Sequence, residues 1–126
     1  MARPSIFAAL AGLMIGTGAC ATHHGSGAPA PERVAVTVKN TNWMDMDVFA
    51  VRGGTRARVG SVTGLTTATL HVPTSFAPDG ILQFMVDPIG SDGAYVTEKI
   101  SVSPGQRIEL TIGTVLRMST YAVWSR

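Results

Sequence analysis

Gly53-Gly54, two adjacent glycines between the alternating runs Met46–Arg52 and Thr55–Val62, constrains this chain more than any other feature. Glycine accepts the positive φ angles that a two-residue hairpin turn demands. The turn then sets a register in which Arg52 faces Thr55, Val51 faces Arg56, Ala50 faces Ala57, Phe49 faces Arg58 and Val48 faces Val59. Side chains alternate along a strand. Val48, Ala50, Ala57 and Val59 therefore make a small apolar face directed at a core. Phe49, Val51, Arg56 and Arg58 make the opposite face, where the arginine stems can lie over Phe49 and Val51 with their guanidinium groups in water.

The rest of the chain repeats this grammar of short runs and turns. Val34, Val36 and Val38 alternate with Ala35, Thr37 and Lys39, and Asn40-Thr41-Asn42 breaks that strand. In Thr66–Val72, the residues Ala68, Leu70 and Val72 face inward, and Pro73 ends the run. Ile81–Val86 reads as one buried strand stopped by Asp87-Pro88. Tyr95–Val102, Arg107–Ile112 and Val115–Trp124 complete the set, with Ser103-Pro104-Gly105-Gln106 as a tight turn. Leu82, Phe84, Ile108, Leu110 and Ile112 are the expected core. No stretch of the domain shows a convincing helical period, and no repeat of fixed period occurs. The pattern predicts an all-β fold of seven to eight strands, a small antiparallel β-sandwich of Ig-like or transthyretin-like type, with a closed barrel as the alternative.

The first residues read differently. Arg3 is a short positive region, Ile6–Ile15 is apolar, small residues run from Gly16 to Ala19, and Cys20 follows. Residues 1–19 have the form of a secretory signal, too short for a membrane span. Ala21–Pro31 holds small residues, prolines, His23 and His24, the composition of a flexible tether over residues 20–32 before a domain over 33–126. A tether of this kind does not preorganise metal ligands. Cys20 is the only cysteine, so no intrachain disulfide can form. The leader's only charge is Arg3, so its removal leaves a nearly neutral domain. That balance and export both argue against a nucleic-acid partner.

A lone cysteine directly after such a leader, in Thr17-Gly18-Ala19-Cys20, resembles the lipobox of bacterial lipoproteins. The resemblance implies that Cys20 becomes the first mature residue and carries the lipid. Thr17 stands where that box usually has leucine. The competing reading is ordinary cleavage after Ala21, because Ala19-Cys20-Ala21 is an A-x-A site. Ala21 is not the aspartate that resembles an inner-membrane retention signal, which points to the outer membrane, facing the periplasm. The runs N-x-N-W-x-D-M-x-V at Asn40–Val48, R-x-G-S-V-T-G at Arg58–Gly64, D-P-I-G at Asp87–Gly90 and S-P-G-Q at Ser103–Gln106 look like small uncharacterised bacterial lipoproteins. That resemblance implies no known activity.

Candidate sites are few. Trp43, Asp45 and Asp47, with Asn40 and Asn42 nearby, form a possible ligand loop for calcium or a glycan, although no D-x-D-x-D-G spacing is present. Loop aspartates also cap turns through their own backbone, and Trp43 and Trp124 also suit core or rim packing. Asp87 and Asp92 flank a proline-glycine loop and read as turn formers. His71 falls on the outward face of its strand, with no G-x-S-x-G elbow to complete a triad. Phe49, Arg56 and Arg58 form a possible interaction patch. No catalytic set, resident metal or cofactor is expected. The sequence reads as a lipid-anchored, non-enzymatic domain of the cell envelope, attached to the membrane and acting by binding an envelope protein or cell-wall partner or as a structural accessory. A periplasmic module for glycan or calcium is the alternative.

Overall fold

The computed structural model describes residues 33–125. The expected leader, Cys20 and the tether lie outside the described residues. Ten strands follow one another: β1 (Arg33–Asn40), β2 (Met46–Arg52), β3 (Thr55–Val62), β4 (Thr67–Pro73), β5 (Ile81–Leu82), β6 (Phe84–Pro88), β7 (Tyr95–Val96), β8 (Ile100–Ser101), β9 (Arg107–Ile112) and β10 (Thr120–Trp124). Eight of them build two four-stranded sheets, in the orders β10-β9-β1-β4 and β3-β2-β6-β7, and β5 pairs with β8 as a short ribbon.

The inner faces of the two sheets supply the core. Val36, Val38, Ile108, Leu110 and Ile112 come from the first sheet, and Met46, Val48, Ala50, Phe84 and Val86 from the second, all buried. Leu82 and Ile100, paired across the ribbon, close one side. The fold is an all-β sandwich, and the five core residues read from alternation are all within it. An immunoglobulin sandwich places its first two strands in one sheet. Here β1 and β2 lie in opposite sheets, and β1 pairs parallel to β9, with Val36 beside Ile108 and Asn40 beside Ile112. Of the two sandwich types expected, the arrangement is the transthyretin-like one.

The hairpin turn forms at Gly53 and Gly54, both at positive φ (52° and 80°). The register holds from Arg52–Thr55 to Phe49–Arg58 and then shifts: Val48 faces Gly60, not Val59. Val59 is the extra residue of a β-bulge, half-buried against the core. Because of it, Arg58 and Ser61 both face outward despite their odd spacing, and Val62 turns inward.

Three strands are shorter than alternation predicts. Gln83 breaks the run expected at Ile81–Val86, so that Leu82 pairs in the ribbon, while β6 continues through Asp87 and Pro88, which were expected to end it, to meet Met46. Buried Thr97 breaks the run expected at Tyr95–Val102: its hydroxyl accepts the Phe84 N–H (3.0 Å) and donates to the Glu98 carbonyl (2.8 Å). Leu116–Met118 is a turn of 3₁₀ helix, so the last strand starts at Thr120, not Val115.

Strand direction sorts the loops into two ends. β1 and β9 run the same way, β4 runs against them, and Pro88 at the end of β6 lies opposite Met46 at the start of β2. Loops 41–45, 63–66, 89–94 and 113–119 therefore gather at the Asn40 end. Arg33, the Gly53-Gly54 turn, segment 74–80 and turn 103–106 gather at the other. An open cleft of about 1210 Å³ lies at that second end, with Arg33, Asp79, Pro104 and Arg107 on its wall.

Candidate functional site

The outer face of the β3-β2-β6-β7 sheet brings Phe49, Arg56 and Arg58 together. The Arg56 guanidinium sits 5.3 Å from the Phe49 ring centroid. The face is wider than the hairpin alone implied, because Met85 lies across from Phe49 on β6 and Val96 across from Met85 on β7. Arg56 Nη1 approaches the Met85 sulfur at 3.9 Å. Phe49, Val51 and Met85 are half-buried, while Val96, Arg56 and Arg58 are exposed. The result is an apolar strip with the Arg56 guanidinium lying over it and Arg58 beside it, opposite Phe49 on β3.

Arg58 is fixed from the side. Its Nη2 donates to Asp47 Oδ1 at 2.8 Å and its Nε to the same oxygen at 3.2 Å. Ser61 Oγ donates to that oxygen at 2.5 Å, and Arg58 Nη2 also contacts Ser61. The hydrogen bond from Arg58, and after it that from Ser61, hold the Asp47 carboxyl below the usual aspartate range. The bulge makes this cluster possible, since it puts Arg58 and Ser61 on the face that carries Asp47.

Asp45 does not join it. It lies in the β1–β2 loop, and its Oδ1 accepts the Gly64 N–H at 2.9 Å. The two carboxylates expected to share a ligand loop thus serve different neighbours. Asp87 stands on β6 directly across from Asp47, and Asp92 lies exposed in the next loop. His71 is exposed on β4. Among the described residues, no three His, Cys, Asp or Glu side chains group as metal ligands. At the far end of the molecule, a hydrogen bond from Arg52 to Asp79 (3.0 Å) lowers the Asp79 carboxyl from its ordinary value.

Trp43 corrects the expectation of core or rim packing. Trp43 is 78% exposed, and Trp124 is exposed at the sandwich rim. Trp43 also has company, because each of the four loops at its end carries large apolar side chains. Leu65 is 73% exposed, Met118 70%, Ile89 50% and Val115 44%.

Two buried asparagines tie these loops together. Asn40 Nδ2 donates to the Met44 carbonyl (2.8 Å) and to those of Val62 and Thr63 (both 3.3 Å), while its Oδ1 accepts the Asn42 N–H (2.9 Å). Asn42 Nδ2 donates to the Thr114 carbonyl at 2.9 Å, and its Oδ1 accepts the Met44 N–H at 3.0 Å. The Asn42 carbonyl accepts the Leu65 N–H, and the Asp45 carbonyl accepts the Ile89 N–H, both at 2.9 Å. Leu65 is held at φ 60°, a left-handed conformation that a leucine rarely takes. Gly64 sits so close to Trp43 that a Cβ there would run into the Trp43 carbonyl.

Asn40-Thr41-Asn42 reads in sequence as a strand breaker beside a possible ligand loop, and the apolar end was missed. A usable signal was present. Loops 41–45, 63–66, 89–94 and 113–119 alternate with the loops of the other end along the chain, and each carries Trp, Leu, Ile, Val or Met where loops are ordinarily polar. No protein-family model matches the sequence, and no curated protein matches it either.

Proposed function

We propose that this protein is a lipid-anchored, non-enzymatic accessory of the cell envelope that binds another envelope component through the outer face of the β3-β2-β6-β7 sheet. The anchor is Cys20, and the lone cysteine directly after an apolar leader supports it. The observation that carries the binding face is Arg56 lying over Phe49 and against Met85, with Arg58 opposite Phe49 on the next strand and clamped by Asp47 and Ser61. Apolar area under oriented cations gives a partner both contact and register, and arginine is enriched where binding energy concentrates. Clamping Arg58 in advance reduces the ordering cost of association.

In-cell cross-linking of the Arg56→Glu/Arg58→Glu double variant tests this. The expected result is loss of a cross-linked envelope partner, with the protein still in the membrane fraction and its melting temperature only slightly lower. Retention of every cross-linked species would contradict the binding face.

A further inference from the structure

We propose that the apolar loop end of the sandwich inserts into the interfacial region of a lipid bilayer. Trp43, Leu65, Ile89, Val115 and Met118 project from four adjacent loops with between 44% and 78% of their surface exposed. Exposed apolar residues scattered singly need no explanation; five gathered at one end of a small domain do. A tryptophan beside long aliphatic side chains is the composition that settles at the boundary between headgroups and acyl chains.

Three observations favour lipid over other occupants. The first is the state of the loop backbone. Immersing a loop is prohibitive where its polar groups lack partners. Here three of the five exposed residues, Leu65, Ile89 and Met118, donate their N–H groups within the loop end, as do Asn42, Met44, Gly64, Thr66 and Ser119. The second is charge. The four loops carry only Asp45, Asp92 and Arg117, so the surface is nearly neutral and suits a zwitterionic interface with no need of anionic lipid. The third is Leu65, whose left-handed backbone places a large apolar side chain in water when glycine would fit without strain.

The chain's own amino-terminal segment is a poor cover, since Ala21–Glu32 holds no large apolar residue. It is nevertheless long enough to permit the geometry. Twelve residues reach roughly 40 Å when extended, and the eight residues of β1 span roughly 27 Å. A molecule held at Cys20 can therefore lay its loop end on the same bilayer, which would leave the arginine face turned sideways toward a partner.

The test uses the processed chain secreted from a Cys20→Ala precursor, free of leader and lipid, so it stands apart from the anchoring proposal. With Trp124→Phe, Trp43 is the only tryptophan. Vesicles of phosphatidylcholine with brominated acyl chains should quench and blue-shift its emission, with little change when salt is raised. Leu65→Asp combined with Met118→Asp should weaken partitioning by about tenfold or more. Unchanged Trp43 emission in the presence of vesicles would overturn the proposal. So would binding that requires anionic lipid and disappears in salt, which would assign it to the arginines. A dimer in sedimentation that the same double variant dissolves, without vesicle binding, would assign the loop end to a second copy and overturn it equally.

Discussion

Asn40 does more for the loop end than any residue that faces solvent there. Its amide is buried and reaches the carbonyls of Met44, Val62 and Thr63 while its oxygen accepts the Asn42 N–H, so truncation removes a donor from the Met44 and buried Val62 carbonyls and the acceptor from Asn42. Each such loss costs about 1–3 kcal/mol. Asn40→Ala should therefore lower unfolding stability by about 2–4 kcal/mol in urea titration, since the losses overlap. A change under about 1 kcal/mol would mean that water replaces the amide. Leu65 works in the opposite sense. A left-handed leucine is strained by about 1–2 kcal/mol, and glycine there recovers most of this against its own entropy cost. Leu65→Gly should stabilise the domain by about 0.5–1 kcal/mol, and a destabilised variant would show that Leu65 packs more than its exposure indicates.

At the scale of elements, the bulge in β3 decides what the central hairpin can present. Without the extra residue at Val59, Arg58 and Ser61 would point to opposite faces and Asp47 would lose one of its two donors. Because the Asp47 carboxyl is held below its ordinary value, the cluster's contribution to stability is present above the unfolded-state value of about 3.9. It is lost as pH falls through the lower folded-state value. Arg58→Ala should move the Asp47 titration, followed by carboxyl NMR, back toward the ordinary value. Because the pair is partly exposed, the stability cost should be only about 0.2–1 kcal/mol. An unmoved titration would mean that Ser61 alone holds the carboxylate.

Alternation and the glycine pair made the sheets legible, because the inward positions of β1, β2, β4, β6 and β9 are apolar at every second residue. The bulge was less visible. Its signal was Gly60 inside a strand, with Val59 and Val62 three apart where alternation asks for two. The breaks at Gln83 and Thr97 depend on tertiary hydrogen bonds that no local pattern records. The loop end was legible only once the strands had directions, since topology, not local sequence, brings Trp43, Leu65, Ile89 and Met118 to one place.

The whole molecule has two unlike ends and one amphipathic side. The chain enters the sandwich at Arg33, and the apolar loops lie at the other end of β1. In the reading proposed above, Trp43 and its neighbours meet the bilayer, and Phe49, Arg56 and Arg58 meet a partner. Both proposals place the protein at a membrane, and the arginine face in particular rests on the anchor. The most direct measurement is the intact mass of the protein purified from the membrane fraction. The account predicts a chain beginning at Cys20 with the added mass of acyl chains, and a Cys20→Ala protein that washing alone extracts. An unmodified chain beginning at Thr22 would contradict it.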